Sequence, residues 1–319
     1  MQVNYGVTTY GVTLTLVLLG SFGLCNLLLS MAVACCRRVG WLGRVVTADA
    51  VLGIRLVPAA GAALLDLTIV LPAFLLYEPP HAHDRPGALL LISAALALLV
   101  LADGVRRAWG AWRATRALVR RVPLLRMQAL VGGAEVSVIN VAEPLVAVVG
   151  SWRQRIIAAR CVAAACDGEE FRQVIAHEAA HMGARDNLKL LAMLAMPDVL
   201  AWLPAGTALT AQWRAATEIE ADESASGADP RRRVALASAL IKVARLSVAS
   251  GRPHRAARVG GYFGGLEHRI RRLLAPSPGA NPTFPGRRVI ATALLASLLA
   301  VPLYSFVHRV IEVLVAFGR

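Results

Sequence analysis

Two histidines that lie four residues apart, with a glutamate between them, are the residues of this sequence best suited to bind and use a metal ion. His177, Glu178 and His181 form the pattern HExxH, in a segment whose apolar spacing favours a helix. Side chains at positions i and i+4 project from one helix face, so both imidazoles can bind one ion. Glu178 lies about 100° around the helix, beside a water molecule on that ion. The pattern therefore predicts two metal ligands, His177 and His181, and a catalytic base, Glu178.

A second group of candidate ligands matters, because a five-residue pattern also arises by chance on an ordinary helix with two solvated histidines. The segment from Thr217 carries Glu218, Glu220, Asp222 and Glu223. Glu218 and Asp222 are four residues apart, so one could bind the metal while the other hydrogen-bonds a ligand histidine and fixes its tautomer. The alternative is an acidic helix face that is simply solvated.

Zinc is the metal that these donors predict. Two histidines and one carboxylate from another helix leave a fourth position of a tetrahedral ion open for water, which suits Zn²⁺ better than iron. We expect one Zn²⁺ per chain. The five cysteines, at positions 25, 35, 36, 161 and 166, include no CxxC pair, so neither a cysteine zinc site nor a disulfide framework is expected.

The elements that position these residues must lie partly in a lipid bilayer, because 57% of the 319 residues are hydrophobic and only 17% are charged. A hydrocarbon core about 30 Å thick needs about 20 apolar residues in a helix. Four stretches meet or approach that length and predict four transmembrane helices: Thr9–Val33, Val57–Tyr77, Gly87–Ala102 (extendable through Val105) and Val289–Val307.

The distribution of arginine predicts which connections face the cytoplasm. Arginines follow the first stretch at positions 37, 38 and 44 and crowd between Arg106 and Arg121 after the third, whereas the loop after the second has only Arg85. By the positive-inside rule, the two arginine-rich connections are cytoplasmic. We attribute the net charge of +14 to attraction between arginine and anionic lipid, so the expected partner is the lipid bilayer and no direct binding of nucleic acid is expected.

The predicted fold class is a membrane protein, mainly α, with four transmembrane helices and an inserted α+β domain. Residues 1–105 hold three transmembrane helices, residues 106–288 form the cytoplasmic domain, and residues 289–319 hold the fourth helix and a short tail. Within the inserted domain, β-branched residues predict two short strands between Glu135 and Val149, and Arg155–Ala159 a further one. The expected location is the plasma membrane, in several passes.

One further apolar run, Leu188–Ala211, resembles a fifth span in composition. A single crossing would place Glu218 on the opposite side of the membrane from His177, and the run is too short to cross twice. We therefore expect an apolar helical hairpin, packed on the inner leaflet or against the other spans.

The motifs resemble those of the M56 family of membrane zinc metallopeptidases, typified by the beta-lactam sensor proteases. The more distant M48 family shares HExxH followed by ExxxD. The resemblance covers about Glu143 to Leu274, and its motifs are HEAAHMGARDN from His177, EIEADESA from Glu218 and LASALIKVARL from Leu236.

The resemblance implies a gluzincin-type zinc endopeptidase domain in which Glu218 is the third zinc ligand, Asp222 supports a ligand histidine, and Glu220 faces outward. It implies a cytoplasmic or membrane-proximal protein substrate, such as a transcriptional repressor, cleaved in regulatory signalling, and it allows a homodimer. An M48-like membrane quality-control protease and a non-proteolytic signalling scaffold are the alternatives. Because no sensor domain follows the last span in this sequence, direct sensing of beta-lactams is not expected.

Zinc peptidases hold their substrates as extended chains at the exposed edge of a strand next to the HExxH helix. We expect Arg155–Ala159 to be that edge strand. The residue that stabilises the oxyanion is left open among His254, Arg255 and His268.

The arginine distribution predicts the sidedness of two single cysteines in a variant without native cysteines. Ser151→Cys should react with a membrane-impermeant thiol reagent only after permeabilisation, because it lies in the cytoplasmic domain. His81→Cys, in the loop after the second span, is the matched control and should react in intact cells. Labelling of Ser151→Cys in intact cells would overturn the four-span topology.

Overall fold

The structure is a computed structural model that describes residues 2–45, 47–77, 86–121, 127–131, 133–249 and 262–275. These residues are mostly helical and divide into two compact units. The first contains described residues of Met1–Ala108 and Met193–Ala211, and the second those of Trp109–Ala192 and Gln212–Pro282. The helices are α1 (Gln2–Arg38), α2 (Ala48–Leu65), α3 (Leu71–Tyr77), α4 (Ala88–Arg121), α5 (Arg160–Ala165), α6 (Gly168–Ala184), α7 (Asp186–Ala195), α8 (Pro204–Ser226), α9 (Pro230–Ala249) and α10 (Tyr262–Leu274), and the strands are β1 (Met127–Val131), β2 (Ala134–Ile139), β3 (Val146–Val149) and β4 (Arg155–Ala159).

Three helical segments are long and apolar enough to cross a membrane: Tyr10–Arg38, Ala48–Tyr77 and Ala88–Ala117. The second is continuous because a π-helical turn, Asp66–Val70, joins α2 to α3. Apart from Thr9 and Gly87, the first three predicted spans lie within these segments, so three helices able to cross a membrane are confirmed. The fourth predicted span, Val289–Val307, lies outside the described residues.

The apolar helices pack closely, and a neighbouring helix provides a partner for Asp66. A Cβ atom at Gly23 of α1 would lie 2.1 Å from the carbonyl oxygen of Ser93 on α4, so only glycine permits this approach, as is common between membrane helices. Asp66, at the start of the π-helical turn, accepts a hydrogen bond of 2.6 Å from the Ser21 hydroxyl of α1. The carboxylate therefore has a partner on a neighbouring helix.

The segment between α7 and α8 is not a continuous helix, and side chains of α1 satisfy its backbone groups. The Asn26 amide donates to the carbonyl oxygen of Pro197 at 2.8 Å and accepts from the N–H of Val199 at 2.9 Å. The Ser30 hydroxyl accepts from the N–H of Leu200 at 3.1 Å. Asn26 and Ser30 are fully buried, so non-helical backbone is tolerated here because protein groups replace water as its partners.

A buried ion pair also holds this segment. Arg55 of α2 donates from Nη1 to Asp198 Oδ2 at 2.8 Å, and the two side chains are only 3% and 0% exposed. Asp198 Oδ1 in turn accepts from the N–H of Ala201, which caps a short 3₁₀ turn, Val199–Trp202. The structure thus packs Met193–Ala211 with the spans in the first unit, one of the two placements expected for the apolar run.

The second unit contains a four-stranded sheet with the order β1-β2-β4-β3. Strands β2 and β4 are parallel, whereas β1 pairs antiparallel with β2 and β3 with β4. The three strands predicted from β-branched residues are present. The additional strand, β1, was not predicted because Met127–Val131 lacks the alternation that indicates a strand.

The expectation that Arg155–Ala159 is an edge strand is wrong, because β4 lies between β2 and β3. The last four residues of β4 are all buried, since side chains of α6 cover one face of the sheet and side chains of α5 and α9 cover the other. A short apolar run shows that a strand is covered on both faces, but it carries no information about its neighbours. Among the residues that the structure describes, the strand at the end of the sheet next to α6 is β3.

The buried pair in the first unit predicts a large loss of stability for Arg55→Leu. Removing one partner leaves the Asp198 carboxylate buried and unpaired, which costs about 3–5 kcal/mol. Adding Asp198→Asn should recover part of this loss, because Asn keeps the cap on Ala201 without the charge. Thermal unfolding in detergent is the measurement, and Arg106→Leu, at an arginine that is 75% exposed, is the control. An Arg55→Leu variant as stable as the control would contradict the assignment.

Candidate metal centre

The helix that carries His177 and His181 starts at a defined cap. Asp167 and Glu170 form a capping box at the N-terminus of α6, in which each side chain accepts a hydrogen bond from the other's backbone. Glu170 also accepts hydrogen bonds from Ser238 and Lys242 of α9. Ile175 of α6 packs against the sheet. These contacts fix the rotation of α6 and thereby the direction of the two histidines.

The structure brings the three predicted ligands together. The Nε2 atoms of His177 and His181 are 3.2 Å apart. Carboxylate oxygens of Glu218 lie 3.6 Å from Nε2 of His177 and 3.7 Å from Nε2 of His181. One donor atom from each residue can be chosen so that all three lie within 4.8 Å of one another.

The acidic residues of α8 face different ways, as their helical spacing predicts. Glu218 turns toward the histidines and its side chain is 40% exposed. Asp222, one turn further on, is buried, with only 5% of its side chain exposed. Glu220 is exposed, and Glu223 bonds Arg272 of α10. Only Glu218 and Asp222 therefore belong to the group around the histidines.

Each histidine contacts a carboxylate through its other ring nitrogen. His181 Nδ1 is hydrogen-bonded to Asp186 Oδ2 at 2.7 Å, whereas His177 Nδ1 lies 3.0 Å from Asp222 Oδ1 without the angles of a hydrogen bond. A carboxylate at Nδ1 favours the tautomer with its proton there and leaves Nε2 with a free lone pair for a metal. Both Nε2 atoms face Glu218, so the two rings are oriented as ligands.

A sharp turn places Asp186 within reach of His181. α6 ends at Arg185, whose φ of 56° and ψ of 39° are left-handed, and α7 starts at the next residue. Among the described residues, Arg185 is the one non-glycine with positive φ. Such a conformation is uncommon outside glycine and often accompanies function.

Arg269 of α10 is the site residue that the sequence did not reveal. It donates two hydrogen bonds to Asp222, at 2.6 and 2.7 Å, and its Nη1 lies 2.6 Å from Glu218 Oε2. Its side chain is 9% exposed. A buried acidic helix face does call for a basic partner, but 34 lysines and arginines gave no means of choosing this one.

Glu178 lies beside the edge of the sheet. Its Oε2 accepts a hydrogen bond of 3.1 Å from the N–H of Val148 in β3. Burial raises the pKa of Glu178, although the nearby His177 and His181 act in the opposite direction. A glutamate with a raised pKa is a better general base near neutral pH than an ordinary one.

The surrounding charges also set the protonation of the candidate ligands. Burial lowers the pKa of His177, but Asp222 and Glu218 outweigh burial and raise it to about 9. Burial raises the pKa of Glu218, but contact with His177 and the charge of Arg269 outweigh it and lower the pKa to about 2. A metal ion that binds His177 must therefore displace a proton, whereas Glu218 is already ionised.

The donor set fits zinc. Ligands about 2 Å from a tetrahedral ion lie about 3.3 Å from each other. The two Nε2 atoms are 3.2 Å apart, and Glu218 places one oxygen 3.6 Å from the first and its other oxygen 3.7 Å from the second. Two imidazoles and one carboxylate are the ligand types of a catalytic zinc site with an open position.

Other candidates from the sequence do not join this group. His268 is exposed, and His254 and Arg255 lie outside the described residues. Cys161 and Cys166 are half-buried, and among the described residues no cysteine belongs to the potential metal-binding group.

Comparisons of the chain with protein-family models and with curated protein sequences find no match. The similarity to the M56 family therefore stays a prediction, and the functional argument depends on the arrangement of the donor atoms.

The geometry predicts different zinc affinities for three variants of α8. Glu218→Ala should lose zinc binding, because it removes a donor. Asp222→Ala should weaken affinity about 10 to 100-fold, the usual cost of losing a group that orients a ligand. Glu220→Ala is the control and should bind zinc normally, since Glu220 is exposed. Zinc titration of the purified variants is the measurement, with unfolding curves to exclude loss of fold. Normal binding by Glu218→Ala would contradict the assignment.

Proposed function

We propose that this protein is an integral-membrane zinc endopeptidase that cleaves a cytoplasmic or membrane-proximal protein. The observation that carries the proposal is the convergence of His177, His181 and Glu218, with Glu178 next to them and hydrogen-bonded to an edge strand. A scaffold without catalysis needs neither the Nδ1 contacts of the histidines with carboxylates nor a glutamate hydrogen-bonded to an edge strand beside them.

The chemistry is hydrolysis of a peptide bond. His177, His181 and Glu218 would hold the zinc ion, which would supply Lewis acidity to polarise the scissile carbonyl and acidify a water molecule. Glu178 takes a proton from the water molecule as the water oxygen attacks the carbonyl carbon. Glu178 then gives that proton to the leaving nitrogen as the C–N bond breaks. Asp222 and Asp186 keep the imidazoles oriented, and Arg269 holds Asp222 in place.

Strand β3 offers a place for the substrate main chain. It lies at the end of the sheet and packs beside α6, and the hydrogen bond between Glu178 and Val148 puts the base at its open side. An extended chain added to this edge would pass Glu178 with its backbone held by main-chain hydrogen bonds. The role first expected of β4 is thus assigned to β3.

The biological setting follows from the sequence pattern. Three helices that could cross a membrane, with the fourth predicted at Val289–Val307, support a multi-pass protein of the plasma membrane whose gluzincin-type catalytic domain is cytoplasmic. The resemblance to M56 peptidases favours regulatory cleavage of one substrate, such as a repressor, over the broad cleavage of an M48-like quality-control protease. Protein N-termini compared between cells that carry the intact chain or Glu178→Gln would distinguish these two by the number of new cleavage sites.

The role of Glu178 predicts a separation of metal binding from activity. Glu178→Gln should keep one zinc per chain but lose at least about 100-fold in turnover, because the base is removed and no ligand is. His177→Ala should lose both. Zinc content and cleavage of a peptide mixture by protein in detergent are the measurements. Full turnover by Glu178→Gln, or loss of its metal, would rule out this role.

The edge-strand role predicts the effect of a proline at Val146. Val148 directs its N–H away from β4 to Glu178, and residues two apart in a strand direct their groups the same way, so Val146 also faces the open edge. Val146→Pro should raise KM without loss of zinc, because it removes a main-chain donor for the substrate but none for β4. Val146→Ala keeps the donor and serves as the control. Equal KM values for the two variants would eliminate β3 as the substrate-binding strand.

A further inference from the structure

The open edge of β3 is partly covered by a side chain that the proposed chemistry does not use. Asn187, the second residue of α7, donates from Nδ2 to the carbonyl oxygens of Val148 and Gly150, each at 3.0 Å. The N–H of Val148 is bonded to Glu178. Both main-chain groups of Val148 are therefore occupied by side chains, one from α6 and one from α7.

The strand itself ends at this point. Gly150 has a φ of 93°, and a Cβ atom there would lie 2.3 Å from the carbonyl oxygen of Arg153, so β3 ends here in a tight turn that leads back into the antiparallel strand β4. A carbonyl oxygen can accept two hydrogen bonds. However, a new strand would lie about 4.8 Å from β3 in the plane of the sheet, which is where the Asn187 carboxamide lies.

The groups that remain for a substrate belong to Val146. Leu145 directs its carbonyl oxygen to the N–H of Ala159 in β4, and by alternation Val146 directs its N–H and C=O to the open side. One residue of an extended chain can exchange two hydrogen bonds with Val146. Pairing further along β3, at Val148, is blocked by Asn187.

On the basis of the proposed peptidase function, we infer that Asn187 is a positioning residue that sets the cleavage register. It confines main-chain pairing of the substrate to Val146, on one side of Glu178. The enzyme therefore binds an extended segment of the substrate on one side of the scissile bond by strand pairing. The substrate residues on the other side of that bond have no strand pairing. The substrate class is a chain with an unstructured, strand-compatible segment that flanks the cleaved bond on one side.

The turn at Arg185 explains why this residue is well placed for the role. Asp186 contacts His181 and its neighbour Asn187 contacts β3, so consecutive residues connect a metal ligand and the substrate edge. Because Asp186 and Asn187 are joined by one peptide unit, the metal ligand His181 and the end of substrate pairing on β3 are held at a fixed separation. A change at Asn187 should alter where the substrate lies without removing a metal ligand.

The test compares Asn187→Ala with the wild type and with Asn140→Ala, which removes an exposed asparagine from the same unit. Full-length protein in detergent is given one defined peptide substrate, chosen from a peptide mixture, and the products are identified by mass. For Asn187→Ala we expect unchanged zinc content and an added product cut about two residues away, the shift that keeps side chains on the same faces of the new strand. Asn140→Ala should cut only at the original bond.

A second measurement uses the wild-type protein alone. Peptides shortened from one end should show a raised KM, whereas peptides shortened equally from the other end should not. Cleavage by Asn187→Ala at the original bond alone, or equal effects of shortening from both ends, would overturn the inference and leave the peptidase proposal standing. Absence of zinc-dependent cleavage by the wild type would overturn both.

Discussion

The contact of Asp222 with partners from two different helices is the interaction on which the candidate site depends. Asp222 lies on α8, and it contacts His177 of α6 and Arg269 of α10. A buried carboxylate without partners would be costly, so these helices are stable together only in the arrangement that pairs it. Because Glu218 is one turn before Asp222 on the same helix face, the pairing that satisfies Asp222 also brings Glu218 to the histidines.

The same arrangement links stability with chemistry. Arg269 neutralises part of the negative charge of Glu218 and Asp222, which allows several carboxylates to surround two histidines at short distance. The raised pKa of His177 has the same origin, since its acidic neighbours favour the imidazolium ion. A divalent cation would replace that proton, so the carboxylates of the cluster favour a positive charge at its centre.

Local periodicity was sufficient to predict part of this site from the sequence. The spacing of His177, Glu178 and His181 fixes their directions on any helix, and spacing also distinguishes Asp222 from the exposed Glu220. Strand β4 was recognised but misplaced, because Ile156 and its neighbours show burial and not strand order. Arg269 could not be found, since its role depends on contacts between elements distant in sequence. Asn187 belongs to the motif that carries the family resemblance, but its contact with β3 depends on a turn with unusual backbone angles and could not be predicted.

The central claim is that His177, His181 and Glu218 bind one zinc ion. Zinc K-edge X-ray absorption of the purified full-length protein tests it most directly, because it reports the element, the ligand types and the distances together. The account predicts one zinc per chain with only nitrogen and oxygen ligands at about 2.0–2.1 Å, including the scattering pattern of two imidazoles. Sulfur ligands at about 2.3 Å, or protein that retains no zinc after purification with the metal present, would contradict it.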